Sequence, residues 1–278
     1  MLIVDSQVHI WAAHTEDRPW LADGPGREHR PVPLGPEALI SEMDAAGVDR
    51  AILVPPSWEG DYNDLAIRAA TDYPDRFAIM GRFDLGDSTN AALLPTWKQQ
   101  TGMLGIRVSF LMPHQRQWLA DQSIDWFWAA AEAADIPLMV LPPDQIPAID
   151  RIAERHPNLR MIIDHLAMTS TRKDDEAFAT VEDLYALAKR PNIAAKTSAL
   201  PCYTTESYPF PMVHPHVQRI LEAFGPDRVF WGTDLSRLSC DYRECVTLFT
   251  EEMPFLSGAV QEKVMGTGIC DWLGWRYS

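Results

Sequence analysis

The sequence predicts an α/β protein that forms a closed (β/α)8 TIM barrel as one domain over residues 1–278. Short β-rich runs alternate with helix-compatible segments along the whole chain, and eight such runs can be counted. This alternation implies parallel strands with right-handed crossovers, and eight units are enough to close a barrel. An open doubly wound sheet is the main rival. It loses support because no glycine-rich nucleotide-binding loop follows any of the runs.

The elements follow one another in a regular order. The predicted strands are Leu2 to His9, Val48 to Val54, Phe77 to Phe83, Gly105 to Phe110, Leu138 to Leu141, Leu159 to Asp164, Ile193 to Thr197 and Val229 to Gly232. The clearest helices are Pro36 to Ala46, Ser123 to Ala134, Asp144 to Arg155, Asp175 to Lys189 and Pro215 to Phe224. Gly47 and Gly225 follow two of these helices, where a left-handed C-cap favours glycine.

Two connections are too long to be minimal turns. They are Ala12 to Pro36, after the first strand, and Ser198 to Pro215, after the seventh. Long strand-to-helix loops lie on the carboxyl face of a barrel, where active sites are found, so we expect both loops to shape a pocket. The loop histidines His14, His29, His214 and His216 can approach that pocket, although loop histidines are more often solvated.

The charge balance excludes several classes of partner. The chain carries 24 Lys and Arg against 39 Asp and Glu, a net charge of −15, with 46% hydrophobic residues. Nucleic acids and anionic membranes need a basic footprint, so neither is an expected partner. A small-molecule substrate is expected instead, and an anionic one is compatible with a locally basic pocket.

The chain carries no recognisable export or membrane signal. Asp5 interrupts the N-terminus before a signal peptide could form, and no apolar run approaches the roughly 20 residues that cross a bilayer. The four cysteines contain no Cys-x-x-Cys pair, which favours free thiols and a cytoplasmic location. The sequence leaves the oligomeric state open, although a homo-oligomer is a common state for barrels.

Polar side chains stand near the carboxyl ends of five predicted strands. They are Gln7 and His9 in the first, Arg107 in the fourth, Asp164 and His165 in the sixth, Lys196 in the seventh and Asp234 in the eighth. The period of two along a strand places Gln7 and His9 on the same face. Because strand ends share the mouth of a barrel, these side chains are expected to converge on one site.

The ordered set of motifs resembles the amidohydrolase superfamily. The motifs are Asp-x-x-x-His-x-Trp from Asp5, Gly-x-Arg ending at Arg107, Asp-His-Leu from Asp164, Lys-x-Ser from Lys196 and Trp-Gly-Thr-Asp ending at Asp234. The branch that the chain resembles includes L-fuconolactonase, L-rhamnonolactonase-like and 2-pyrone-4,6-dicarboxylate lactonases. The resemblance extends from Asp5 to the closing segment that ends at Trp275.

Two positions depart from the family pattern. Members usually begin with His-x-His, which is Gln7-x-His9 here, and Gly268 stands where relatives usually carry Asn. The second change concerns local capping. The first change affects possible metal binding, because a neutral amide is a poorer zinc ligand than imidazole or carboxylate.

The resemblance implies a hydrolase that opens a lactone of a small sugar acid or of an aromatic-catabolic carboxylic acid. In this interpretation Asp234 activates water, while His9 and His165 polarise the carbonyl, either directly or through one divalent metal. Zinc or manganese would then be held by His9, His165 and Asp234, and some relatives work without metal. Substrate contacts are expected from Arg107, Lys196, Gln7 and Trp11.

Alternatives remain open at this point. Asp234 could cap a helix, Arg107 could form a buried ion pair, and His9 could be a core histidine. A metal-dependent non-oxidative decarboxylase of the same superfamily is a second enzyme hypothesis, and a lactone isomerase is a third. A barrel that has lost catalysis and binds a metabolite is the non-enzymatic one.

Overall fold

The computed structural model describes residues 1–276. Its eight parallel strands form one sheet whose spatial order follows the chain. The strands are β1 (Val4–Val8), β2 (Arg50–Leu53), β3 (Phe77–Gly81), β4 (Met103–Ser109), β5 (Leu138–Leu141), β6 (Met161–Ile163), β7 (Ile193–Ser198) and β8 (Val229–Gly232). Between the first and last strands, the Asp234 amide after β8 donates to the Gln7 carbonyl of β1 at 2.8 Å, and Ser6 Oγ of β1 donates to the Trp231 carbonyl of β8 at 2.6 Å. The predicted (β/α)8 barrel is confirmed.

Helices follow most of the strands and cover the outside of the barrel. They are α1 (Pro36–Ala46), α2 (Asp64–Asp72), α3 (Pro113–Ala120), α4 (Asp125–Ala133), α5 (Ile146–Arg155), α6 (Asp174–Ala179), α7 (Val213–Phe224), α8 (Tyr242–Thr250), α9 (Gly258–Glu262) and α10 (Gly268–Leu273). The predicted helix from Asp175 is wrong over its second half, where residues Thr180–Lys189 form 3₁₀ turns. In α5, Ile149, Ile152 and Ala153 face the core at the spacing of an amphipathic helix.

The two predicted glycine caps differ. Gly47 ends α1 in the left-handed region, at φ 78° and ψ 34°, as predicted. Gly225 ends α7 with φ 75° but ψ 161°, so it leaves the helix in an extended glycine conformation and not as a left-handed cap. The Pro226–Arg228 turn that follows redirects the chain into β8.

A change of phase within β1 moves side chains between the two faces of the sheet. Val4 packs with the cluster inside the barrel, whereas Val8 packs with the outer core. The pairing register of β1 against β2 shifts between Asp5 and Val8. A bulge of this kind redirects the side chains that follow it, and here Gln7 and His9 face the interior.

One end of the barrel is closed by an apolar plug. Seven strands contribute to the inner cluster, through Val4, Ile52, Met80, Met139, Ile162, Ala194 and Phe230. Ile269, Cys270 and Leu273 of α10 pack against this cluster. The polar side chains at the carboxyl ends of the strands therefore lie above a closed floor.

The remaining sequence expectations concern loops, cysteines and membranes. Both long loops lack strands and α-helices over most of their length, the second containing only the turn Leu200–Tyr203. Cys202, Cys240, Cys245 and Cys270 are free. Within residues 1–276, no helix is both long enough and apolar enough to cross a membrane.

Candidate active site

Seven polar side chains expected at the site form one connected network at the carboxyl ends of the strands. They are Gln7, His9, Arg107, Asp164, His165, Lys196 and Asp234, each at most 7% exposed. Burial of so many polar groups is costly unless they are paired, so their contacts define what the site can do.

Asp234 lies at the centre of the network, directly after β8. Its backbone is left-handed, with φ 55°, a conformation that costs a non-glycine residue on the order of 1 kcal/mol and is concentrated at functional sites. Its Oδ1 lies 3.2 Å from His9 Nε2, and its Oδ2 lies 3.0 Å from Arg237 Nη1 and 3.8 Å from His165 Nε2. The side chain makes no capping hydrogen bond to the turn that follows, so the capping alternative is not supported.

The two oxygens of Asp234 are not equivalent. Arg237 donates to Oδ2, whereas Oδ1 is buried without a hydrogen bond from any residue in the described part of the chain. His9 Nε2 faces Oδ1 at 3.2 Å. Burial favours the neutral acid, but Arg237, His9 and His165 outweigh it and hold the pKa of the Asp234 carboxyl well below its usual range. Asp234 is therefore ionised, with one oxygen free.

His9 is oriented by the backbone. Its Nδ1 lies 2.5 Å from the Val54 carbonyl, which can only accept, so Nδ1 carries a proton. Its Nε2 then faces Asp234 and lies 3.5 Å from Nε2 of Gln7. The Gln7 amide donates toward His9, which places the lone pair of a neutral His9 at Nε2.

His165 is held by a hydroxyl and by its backbone. Its Nδ1 lies 2.8 Å from Ser198 Oγ, and its φ of 52° continues into two further left-handed residues. Burial lowers the pKa of His165 to about 3, although the nearby Asp234 and Asp164 carboxylates act to raise it. His165 is thus a neutral imidazole, and when Ser198 donates to Nδ1, Nε2 is a proton donor.

Lys196 connects Asp164 with Gln7 in the network. It is fully buried, with Nζ 2.7 Å from Asp164 Oδ1 and 2.7 Å from Gln7 Oε1. Arg107 Nε lies 3.3 Å from the other oxygen of Asp164, so the ion pair expected as an alternative for Arg107 exists. Burial would raise the pKa of Asp164, but Lys196 and Arg107 together lower it. The three groups form a buried cluster with one excess positive charge.

Three predicted substrate contacts are corrected by burial. Lys196 and Gln7 have no exposed surface, so neither contacts a substrate directly in this arrangement. Trp11 is 1% exposed and packs edge to face against Trp58, with ring centroids 5.8 Å apart. Trp58 is the tryptophan whose ring reaches the site, because it also meets His9 at 5.9 Å.

The structure adds His29 to the site. This loop histidine, which we expected to be solvated, has Nδ1 2.7 Å from Ser236 Oγ and a ring 5.9 Å from the ring of His9. Burial, followed by the nearby His9, lowers the pKa of His29 to about 4. Arg237 was also missed, since nothing in its local pattern separates it from a surface arginine.

A cavity of about 270 Å³ opens beside this network. Its wall includes Arg27, Ser57, Arg82, Arg107 and Ser109. Arg107 belongs to both the cavity and the buried network, and Ser57 directly precedes Trp58. The sequence held one signal for Arg82, a charged residue inside the predicted strand Phe77 to Phe83, but its place in a pocket could not be inferred.

The donor set does not fit a metal ion in this arrangement. Within residues 1–276, no three His, Cys, Asp or Glu side chains are placed to hold one together. Lys196 donates a hydrogen bond to the Gln7 amide oxygen, and Arg237 donates one to Asp234 Oδ2. Two of the oxygens that could ligate a metal ion are therefore already paired with positively charged side chains. Metal binding by His9, His165 and Asp234 stays a prediction.

The amidohydrolase family profile matches residues 4–268. The chain belongs to the amidohydrolase family. The chain is therefore an enzyme, and the resemblance inferred from the motifs is confirmed.

Among curated amidohydrolase relatives, the L-fucono-1,5-lactonase of Burkholderia ambifaria is 28% identical over 247 residues, covering 85% of this chain and 81% of the relative. An amidohydrolase from Burkholderia multivorans, solved with bound zinc, shares the fold with a TM-score of 0.78 at 23% identity over 99% of each chain. The 5-carboxyvanillate decarboxylase of Sphingomonas paucimobilis has a TM-score of 0.70 at 18% identity, covering 98% of this chain and 99% of that one. The two structural likenesses establish the fold alone.

Proposed function

We propose that the protein hydrolyses the ester bond of a small lactone. One observation carries the proposal: Asp234 is an ionised, buried carboxylate whose Oδ1 accepts no hydrogen bond and lies 3.2 Å from His9 Nε2, while its Oδ2 lies 3.8 Å from His165 Nε2. Hydrolysis of an ester needs an acceptor for a water proton, a donor for the carbonyl oxygen and a proton source for the leaving oxygen. Membership of the amidohydrolase family and the similarity to a curated lactonase support this assignment.

In the proposed mechanism, the attacking water binds to Asp234 Oδ1. Its proton passes to the Asp234–His9 pair as its oxygen bonds to the carbonyl carbon, because Nε2 of a neutral His9 lies 3.2 Å from the same oxygen. Arg237 keeps the carboxylate ionised and holds Oδ2, so the water has a single site. A carboxylate with a lowered pKa is a weak base by itself, so in the proposed mechanism the water proton is passed on to His9 Nε2.

His165 stabilises the negative charge that develops on the carbonyl oxygen. Its pKa of about 3 keeps the imidazole neutral, and Ser198 Oγ favours the tautomer with a proton on Nε2. A preorganised donor in a site without water is worth on the order of 3 kcal/mol to such a transition state. When the ring carbon–oxygen bond breaks, the proton held at His9 moves to the leaving alkoxide, which completes the hydroxy acid.

The proposal is tested by proton release and isotope incorporation. A panel of sugar-acid and carboxylated lactones at neutral pH should give acid production above the uncatalysed background. One oxygen from ¹⁸O-labelled water should enter the product carboxylate. Loss of carbon dioxide from an aromatic acid, with no lactone hydrolysed, would replace lactonase activity with decarboxylation. A rearranged lactone without label would indicate an isomerase.

A further inference from the structure

The cavity beside the catalytic network contains a guanidinium group whose pairing is incomplete. The Arg82 side chain is only 10% exposed, and its Nε and Nη1 are buried without a hydrogen bond from any residue in the range 1–276. The nearest carboxylate is Asp61, whose Oδ1 lies 3.6 Å from Nε and whose side chain is 46% exposed. A buried, under-paired charge of this kind is costly to keep and indicates a missing partner.

Arg82 is still a cation at neutral pH. Burial, followed by repulsion from Arg107, lowers its pKa to about 10, against the attraction of Asp61. Arg107 donates to Asp164 only through its Nε, and its terminal nitrogens make no hydrogen bond within the described part of the chain. Two guanidinium groups with incomplete pairing therefore line the same cavity.

A third arginine, Arg27, also lines the cavity. Arg27 donates from Nη2 to Ser57 Oγ at 3.2 Å and lies 3.3 Å from Asp23 through Nη1. Acidic groups also face the cavity, namely Asp23, Asp61 and Asp84. Asp23 and Asp61 are 60% and 46% exposed and hence well hydrated, and Asp84 accepts the Gly86 amide within its own turn. The buried side of the cavity is the cationic one.

The cavity is also connected to the reacting groups. Ser57 is followed in the chain by Trp58. The centroid of the Trp58 ring lies 4.8 Å from that of the His29 ring and 5.9 Å from that of the His9 ring. Arg107 reaches the same centre through Asp164 and Lys196. A ligand bound at Arg82 and Arg107 therefore lies next to the site where a lactone carbonyl would react.

We propose that Arg82, with Arg107 and Arg27, selects lactones that carry a carboxylate, so that the substrate is the lactone of a dicarboxylic acid and not of a neutral sugar acid. The proposal rests on the proposed lactone hydrolysis. A carboxylate offers two oxygens to the fork of a guanidinium, which is the complement that Arg82 lacks. At about 270 Å³ the cavity suits a compact ligand.

Two lactones test this selectivity directly. Gluconolactone and glucarolactone differ in that the second has a carboxylate where the first has a terminal hydroxymethyl group. Each charged hydrogen bond is worth about 1.5–3 kcal/mol, so kcat/KM for glucarolactone should exceed that for gluconolactone by about 100-fold. Equal values for the two lactones would overturn the proposal.

Variants locate the selectivity at Arg82. In Arg82→Met the preference for glucarolactone should collapse to within a few-fold, and Arg82→Lys, which keeps the charge without the fork, should be intermediate. Arg155→Met, which removes an exposed arginine paired with Asp125, is the matched control and should retain the preference. The melting temperature of Arg82→Met should not fall, because an under-paired buried charge is removed. A preference that persists in Arg82→Met would refute the assignment.

Binding of glucarate and gluconate, measured by isothermal titration calorimetry, separates this proposal from the proposed reaction. Glucarate should bind the wild-type enzyme and lose about 100-fold in affinity in Arg82→Met, since about one charge-assisted hydrogen bond is lost. That result would support carboxylate selection even if no lactone were hydrolysed, in which case the reaction alone would be rejected. Hydrolysis of lactones without Arg82-dependent glucarate binding would reject the carboxylate selection alone. Failure of both measurements would reject both.

Discussion

The Nζ of Lys196 lies 2.7 Å from Oε1 of Gln7, so a buried ammonium group is hydrogen-bonded to the residue that replaces the first histidine of the family motif. The amide must then present its nitrogen to His9, which lies 3.5 Å away. A histidine at this position would offer a second imidazole to a metal ion. Here Lys196 orients the Gln7 amide, and the amide nitrogen in turn contacts His9. Side chains can therefore position His9 without a metal ion.

Asp234→Asn should abolish most of the lactone hydrolysis. The amide cannot accept the water proton, so kcat should fall by about 10³-fold, within the range typical for loss of a general base. Binding of the hydroxy-acid product, measured by calorimetry, should persist. Asp227→Asn, which changes an exposed carboxylate paired with Lys263, is the control and should keep full activity. Activity of Asp234→Asn near the wild-type level would exclude Asp234 from the reaction.

Lys196→Met should destabilise the fold strongly. Removing Lys196 leaves Asp164 buried with only Arg107 at 3.3 Å, and breaking a buried pair costs about 3–5 kcal/mol. Urea unfolding should show this loss in the free energy of unfolding. The double variant Lys196→Met/Asp164→Asn should recover part of it, because the uncompensated charge is gone. Equal losses in the single and double variants would show that the pair contributes little.

His165 should make stability depend on pH below neutrality. Its pKa falls from 6.5 in the unfolded chain to about 3 in the folded protein, so the unfolded state binds more protons between these values. Stability from this group is present above pH 6.5 and is lost as the pH falls. Between pH 7 and 5, wild type should lose about 2 kcal/mol more than His165→Gln, from about 1.4 kcal/mol per pH unit.

Urea unfolding at pH 7, 6 and 5 measures this difference. His114→Gln, which changes an exposed histidine, should follow the wild-type curve. Burial raises the pKa of Asp5 to about 6, which works in the opposite direction but is common to all three proteins. Parallel curves for wild type and His165→Gln would show that His165 is not buried in its neutral form.

Chelators should leave the lactone hydrolysis intact. The donor geometry does not fit a metal, and the proposed steps use only side chains of this chain. Activity after dialysis against a strong chelator should match that of the untreated enzyme, and elemental analysis should find far less than one metal per chain. Activity lost on chelation and restored by zinc or manganese would make His9, His165 and Asp234 metal ligands despite Gln7.

Local sequence patterns predicted much of the architecture. Leu138 to Leu141 and Val229 to Gly232 were predicted at their observed ends, as was α1 with its cap at Gly47. These elements depend on periodicity and on turn residues, which act over a few positions. The strands that the sequence extended too far, such as Leu159 to Asp164, end where the backbone turns left-handed at His165, and no local pattern indicates that turn.

By itself, the sequence determined the eight-stranded barrel and the strand-end positions of His9, His165 and Asp234, because strand order and side-chain alternation follow from short-range patterns. The tertiary structure alone decided that Lys196 is buried against Asp164 and Gln7, and that His29 returns from a loop to His9. It also decided that Arg27, Arg82 and Arg107 share a cavity. These pairings join residues far apart in the chain, and only the packing of the closed barrel determines which of them meet.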